Sequence, residues 1–491
     1  MTKNIIYAAF ASLLLTPLVA VSQDEETDSD EAVFDPMEQT VPVADENILP
    51  APMLEETPNE VSEERLLEEF SRYRRLLQEG TLDEADIAAK RIVEMAIKVY
   101  GPRSRETANA LNNLGIVQHS NGQYDAAIQN FTSSVEIIEF VEDRLNDALV
   151  NPLKGLGAAQ LAIGRPDRAR KTYTRAAHIT QVNEGPHNLD QIEILESITE
   201  TFIRMGDTKS ARNILDRIHI INVKHFEENP LGLLPSLMTR ADWQHRAGYY
   251  AEERTTYRRA IRIIESSSDK NNPLLVEPLR RLGRSFYFVD VSMATRQQQG
   301  HVTTGELYFK RAARIAEKSE TISWLERAKT KLALGDYYVY MDSQNRAKKL
   351  YKEIWDLLSV DEERILQRTA WFSDPVAVWT NSLPAYTGGV SAENASRNDL
   401  LPGKIVVDYT VSARGRVRDL RTKAFPEEFT DMQRVVHREI RNRVCRPKLV
   451  AGIPVAAENV HFDHNFSYLQ ADLDALRAKN SNESKKDPGG E

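Results

Sequence analysis

The chain has 491 residues, room for roughly two to four domains, and its hydrophobic content of 41% suits packed cores and excludes a polytopic membrane protein. The net charge of -10 is uneven: Gln23 to Glu64 holds 15 Asp and Glu and no Lys or Arg, so taking that -15 away leaves about +5 elsewhere. No concentrated basic run of the kind nucleic-acid binding needs is visible, and the lone Cys445 excludes an intramolecular disulfide and a thiolate metal cluster.

In chain order, Met1 to Ser22 combines Lys3, an apolar run from Ile5 to Val21, and small residues at Ala20 and Ser22 before Gln23. That pattern predicts a secretory signal peptide over 1–22, with an uncleaved inner-membrane anchor as the alternative. No cysteine follows the run, which argues against a lipid anchor. Residues 23–62 are acidic and Pro-rich, and predict a disordered spacer.

A helical repeat follows over 63–360. Leu111 to Ser134 reads as two amphipathic helices joined at Asn121-Gly122-Gln123, and its glycine recurs at Gly80, Gly122, Gly164, Gly206 and Gly248, every 42 residues. Leu114-Gly115, Leu156-Gly157 and Leu282-Gly283 share one phase, as do Ala127, Ala169 and Ala211, and Phe131, Tyr173, Leu215 and Tyr257. Seven units are predicted, starting near 66, 108, 150, 192, 234, 276 and 328, the sixth carrying about ten extra residues before Gly300. This pattern resembles the tetratricopeptide (TPR) repeat. The resemblance implies small residues where paired helices approach, and an aromatic ring filling the gap to the next pair. It also implies that Glu277, Arg280, Arg284 and Tyr287 line the inner face of the sixth unit. Arg280 and Arg284 would then suit a carboxylate or acidic peptide, the chain's own acidic arm being one such ligand.

Residues 361–402 predict a connector. Lys404–Val411 and Val417–Thr422 alternate as strands around the turn Ala413-Arg414-Gly415-Arg416, Thr430–Asn442 is an amphipathic helix, and Val455–Tyr468 supplies a third strand. The β-β-α-β order, with Gly415-Arg416-Val417, Cys445-Arg446-Pro447 and Gly452-Ile453-Pro454-Val455, resembles the C-terminal domain of the energy transducer TonB over 403–468. That resemblance implies a module that binds an extended peptide by strand addition, with Tyr386 at the matching upstream position and Val460, Phe462 and His464 on the docking strand. The third strand has no internal proline and no bulge signal, so its edge is expected to be available. Residues 469–491 read as a polar tail.

The expected fold class is therefore mainly α: an α-α solenoid followed by a small α+β domain. His461-Phe462-Asp463-His464 is the one histidine cluster, and residues three apart on a strand face opposite ways, so no metal site is expected. With no nucleophile, phosphate or metalloprotease motif, neither enzyme activity nor a cofactor is expected. The chain reads as a periplasmic protein–protein adaptor of a Gram-negative bacterium, with envelope proteins or outer-membrane receptors as partners and a connection to TonB-dependent transport. The alternative is an envelope scaffold whose small module only forms a homodimer.

Overall fold

The computed structural model describes residues 62–288, 305–379, 383–384 and 400–486. The expected export signal, nearly all of the acidic arm, Gly300 and Tyr386 lie outside the described residues. By packing, the chain divides into two compact units, Met1–Ala159 and Gln160–Glu491.

In the first unit α1 (Glu63–Glu79) pairs with α2 (Leu82–Tyr100), and α3 (Arg105–Ser120) with α4 (Tyr124–Val141); the division falls within α5 (Val150–Ala162). The second unit continues with α6 (Pro166–Glu184), α7 (Gln191–Arg204), α8 (Thr208–His225), α9 (Leu234–Arg246), α10 (Tyr250–Ser267), α11 (Val276–Ser285), α12 (Glu306–Lys318), α13 (Trp324–Tyr340), α14 (Gln344–Leu357) and α15 (Glu362–Phe372). The hairpins start close to the seven predicted positions. Each recurring glycine sits at a hairpin joint with φ between 73° and 80°. There the next residue's N–H reaches back to the helix, as from Gln123 to the Gln118 carbonyl at 2.8 Å. A left-handed residue is needed for that closure, and glycine takes it without a Cβ penalty.

The small-residue positions do what their phase implies. A Cβ on Gly115 would come within 2.8 Å of the Phe131 ring; Gly155, outside that phase, approaches the same ring from the next helix, where a Cβ would come within 2.4 Å. Phe131 is fully buried between its own hairpin and the next. Gly283 stands in the same relation to Phe309, and Gly335 to Tyr351. The longer period is accounted for by helix length, since α3 and α4 run to 16 and 18 residues.

After α15 come β1 (Val376–Trp379), β2 (Leu400–Val411), β3 (Val417–Phe425), α16 (Thr430–Arg441), β4 (Val444–Arg446), β5 (Lys448–Val450), β6 (Ile453–Val455), β7 (Ala457–Leu469) and α17 (Gln470–Lys486). The predicted strand–strand–helix–strand order is present, with four short extra strands pairing β1 to β4 and β5 to β6. Two segments differ from expectation. The connector contains α15 and β1, because Phe372 is an apolar anchor buried in the core of the last hairpin. The polar tail forms α17, because Leu473 and Leu476 pack into the sheet's core and Arg477 bonds Glu428 at 2.7 Å.

Candidate functional site

The main sheet has the order β3–β2–β7, all antiparallel. Ile405, Val407, Tyr409 and Val411 of β2 turn to one face, which α16 covers with Met432, Val436 and Ile440. The opposite face carries Lys404, Asp408, His461 and Asp463. Only β2 pairs with β7 among the described residues, so β7 has one edge without a strand.

Which backbone groups point out of that edge follows from the ladder. Ser412 N–H donates to the Arg416 carbonyl at 2.9 Å, so Ser412 addresses β3. Backbone direction alternates along a strand, and the register shift near Thr410 places its extra residue in β3, leaving β2 regular there. Thr410, Asp408, Val406 and Lys404 therefore address β3 as well. A second contact agrees: Gln433 Nε2 donates to the Thr422 carbonyl at 2.7 Å, which places that carbonyl on the outer side of β3, opposite Val407. The odd-numbered residues Ile405, Val407 and Tyr409 thus address β7, where they pair with His464, Phe462 and Val460. Those three β7 residues use their backbone groups inside the sheet. The outward N–H and C=O groups belong to His461, Asp463, Asn465 and Ser467.

This relocates the edge donors expected from sequence. Val460, Phe462 and His464 lie together on β7, but their side chains face the covered side and are half-buried. Phe462 meets the Tyr409 ring edge-on at 6.3 Å, with the Arg443 guanidinium 5.1 Å from its centre. His464 Nε2 donates to the Pro384 carbonyl at 2.8 Å. The expectation of a bulge-free strand is also corrected. The β2–β7 register shifts between Tyr409 and Val411, and Asn459 there has φ of 56°. Asn459 takes a left-handed conformation that asparagine tolerates, so no glycine marks the bulge. The regular edge accordingly runs from Val460 to Leu469.

His461 and His464 do diverge. His461 Nδ1 lies 2.7 Å from Asp408 on the open face, with Asp463 at 3.7 Å from its other nitrogen. No group suited to a metal ion occurs among the described residues. Cys445 is buried, and burial pushes its thiol up to about 11, against a reactive role.

Arg280 and Arg284 share α11 but do not form a free guanidinium pair. Arg280 is held by Glu277, and Arg281 lies 2.6 Å from Glu277 and 2.5 Å from Asp242. Arg284 is exposed.

The residues that sequence reasoning missed are those that seat the module. Arg446 of β4 is only 7% exposed. Its Nε and Nη2 bond the two carboxylate oxygens of Asp336 on α13 at 2.8 and 2.7 Å, and Nη1 donates to the Trp371 carbonyl at 3.1 Å. Tyr351 O–H donates to the same carboxylate at 2.9 Å. Val444 and Leu449 join the apolar core of the last hairpin, and Gly415 and Gly452 lie against Val339 and Trp355. The sheet module is therefore packed onto α13 and α14.

Residues 76–139 match the tetratricopeptide repeat family. No curated protein matches the chain. Among solved structures, the C-terminal part of a TPR repeat-containing protein from Cytophaga hutchinsonii is 11% identical, covering 60% of this chain and 97% of that one at a TM-score of 0.37. A tetratricopeptide repeat protein from Parabacteroides merdae is 17% identical, covering 62% and 98% at 0.34. The TPR-like repeats of a Podosopora anserina protein described as a kinesin light chain are 17% identical, covering 42% and 97% at 0.38. The family match over 76–139 and the recurring helix pairs make the helical part a TPR-like repeat scaffold, a kind that commonly serves protein–protein interaction.

Proposed function

We propose that this protein is an interaction adaptor of the bacterial periplasm, in which the repeat scaffold holds one partner and the C-terminal module binds an extended segment of another by strand addition to β7. The carrying observation is the β7 edge that no strand pairs among the described residues, with the outward groups of His461, Asp463, Asn465 and Ser467 on a module seated against the last hairpin by Arg446 and Asp336. An added strand there gains main-chain hydrogen bonds worth about 0.5–1.5 kcal/mol net each, with alternate side chains reading the covered and open faces. The motif resemblance to the TonB C-terminal domain supports a peptide ligand of this kind, and a place in TonB-dependent outer-membrane transport is the corresponding system. The module has no catalytic role in this reading. The signal-like start supports export, so the mature chain begins at Gln23; full-length protein in the inner-membrane fraction would move it to an anchored location.

The test is a pair of proline substitutions read against peptides captured from envelope extracts. Asn465→Pro removes one outward donor beneath an exposed side chain, so the domain stays folded and peptide affinity falls. His464→Pro removes a bond of the internal ladder, so the domain itself is destabilised. A folded Asn465→Pro variant with parental affinity contradicts strand addition. Loss of self-association rather than of peptide binding would assign the edge to a homodimer.

A further inference from the structure

The 42-residue repeat brings together a basic surface that is dispersed in the sequence. Arg258 of α10, Lys310 of α12 and Lys352 of α14 occupy one repeat position, since 258 to 310 is the period plus the ten-residue insertion and 310 to 352 is the period itself. Arg262 and Arg314 share a second position one turn on, and Lys349 stands one turn before Lys352. All six are exposed. These helices are neighbours: Arg311 of α12 meets Glu265 of α10 at 2.6 Å, and Arg346 of α14 meets Glu306 of α12 at 3.0 Å. Those contacts occupy the carboxylates between helices, and the two aligned positions hold five cations and one acid, Asp356 of α14, which aligns with Arg262 and Arg314 and is taken up by Lys352 at 2.5 Å. Among the described residues Lys310 and Lys352 pair only along their own helices, with Glu306 and Asp356. Arg258, Arg262, Arg314 and Lys349 make no ion pair among the described residues. On α8 the two aligned positions are Asp216 and Ile220, so the stripe begins at α10.

We propose that this stripe is a second docking site and that it holds an acidic, extended polypeptide of the kind the chain itself carries at Asp24–Glu31. Charge complementarity carries the assignment. Asp24–Glu31 presents six carboxylates in eight residues and no cation. Extended, eight residues span about 26 Å, and three neighbouring helices at about 10 Å spacing span about 20 Å. The inner-face arginines cannot compete as well, because Arg280 already has Glu277.

The probe is a fluorescent peptide of residues 23–34, titrated by anisotropy at low salt into the full chain and into a chain lacking Gln23–Glu60, whose own arm cannot compete, with an Asn/Gln version as the uncharged control. Charge-assisted binding should be lost with the control peptide and weaken as salt is raised. The triple variant Arg258→Gln, Arg262→Gln, Arg314→Gln should bind about 3- to 100-fold more weakly, three exposed pairs being worth roughly 0.2–1 kcal/mol each. Its circular dichroism should be parental, and Asn465→Pro should bind the peptide normally. Equal affinity for parent and triple variant, or no binding to either, overturns the proposal. So does binding of phosphatidylglycerol vesicles or a DNA oligonucleotide, in place of the peptide, that the same triple variant abolishes.

Discussion

The helical hairpins and the C-terminal module are held by different kinds of contact. In the hairpins a glycine on one helix receives an aromatic ring from another, and the arrangement recurs with the sequence period, as Phe131 with Gly115, Phe309 with Gly283 and Tyr351 with Gly335. The module adds to its apolar contacts through Val444 and Leu449 one arrangement used once: the buried Arg446 guanidinium on the partly buried Asp336 carboxylate, 110 residues away in sequence. Repeated apolar packing spreads its stability over many sites. A buried ion pair concentrates its energy in two residues, and removing either leaves the other charged and desolvated.

The sharpest way to break that contrast is Asp336→Ala. It strands Arg446 and should cost about 3–5 kcal/mol in urea unfolding. The apolar double variant Asp336→Leu, Arg446→Met should recover much of the loss. If the single variant unfolds like the parent, the ion pair does not seat the module. In the hairpins, Gly155→Ala places a methyl against the Phe131 ring and should cost about 1–3 kcal/mol. Combining it with Phe131→Leu should be less than additive, because the two share one space; strict additivity would refute the shared contact.

The period made the hairpins legible, because every glycine, alanine and ring was seen several times over in one phase. The divergence of His461 and His464 was legible too, from the two-residue period of a strand. The direction of the β7 backbone was not, since it depends on pairing with β2 and on a bulge at Asn459 that no glycine signals. The Asp336–Arg446 contact was equally hidden: each residue sits in an ordinary local motif, and nothing local links them. The basic stripe was missed for a related reason, its cations being one or two per helix and aligned only by folding.

Titration sharpens the comparison further. In the first unit, burial lowers His119 to about 4, so its neutral form is favoured on folding and stability falls as pH drops from 6.5 toward 4. In the second, burial raises Glu196 to about 7, outweighing the Trp243 hydrogen bond, so its contribution is present below 4.5 and lost as pH rises to 7. Glu196→Gln should raise stability near pH 8 by about 1 kcal/mol and flatten that part of the urea-midpoint profile; an unchanged profile would show that the group titrates normally. Smallest of all, Lys404→Ala removes an exposed partner of Asp463 at 3.0 Å and should shift stability by only about 0.2–1 kcal/mol. A larger loss in thermal unfolding would mean the open sheet face is more tightly organised than its exposure indicates.

Residue-resolved amide hydrogen exchange along β7 of the full chain tests the central claim most directly. The account predicts slow exchange at Val460, Phe462, His464 and Phe466, whose N–H groups bond β2, and fast exchange at His461, Asp463, Asn465 and Ser467. Added partner peptide should then slow the second set. The opposite alternation, or uniform protection of all eight amides in the free protein, would contradict an open strand-docking edge.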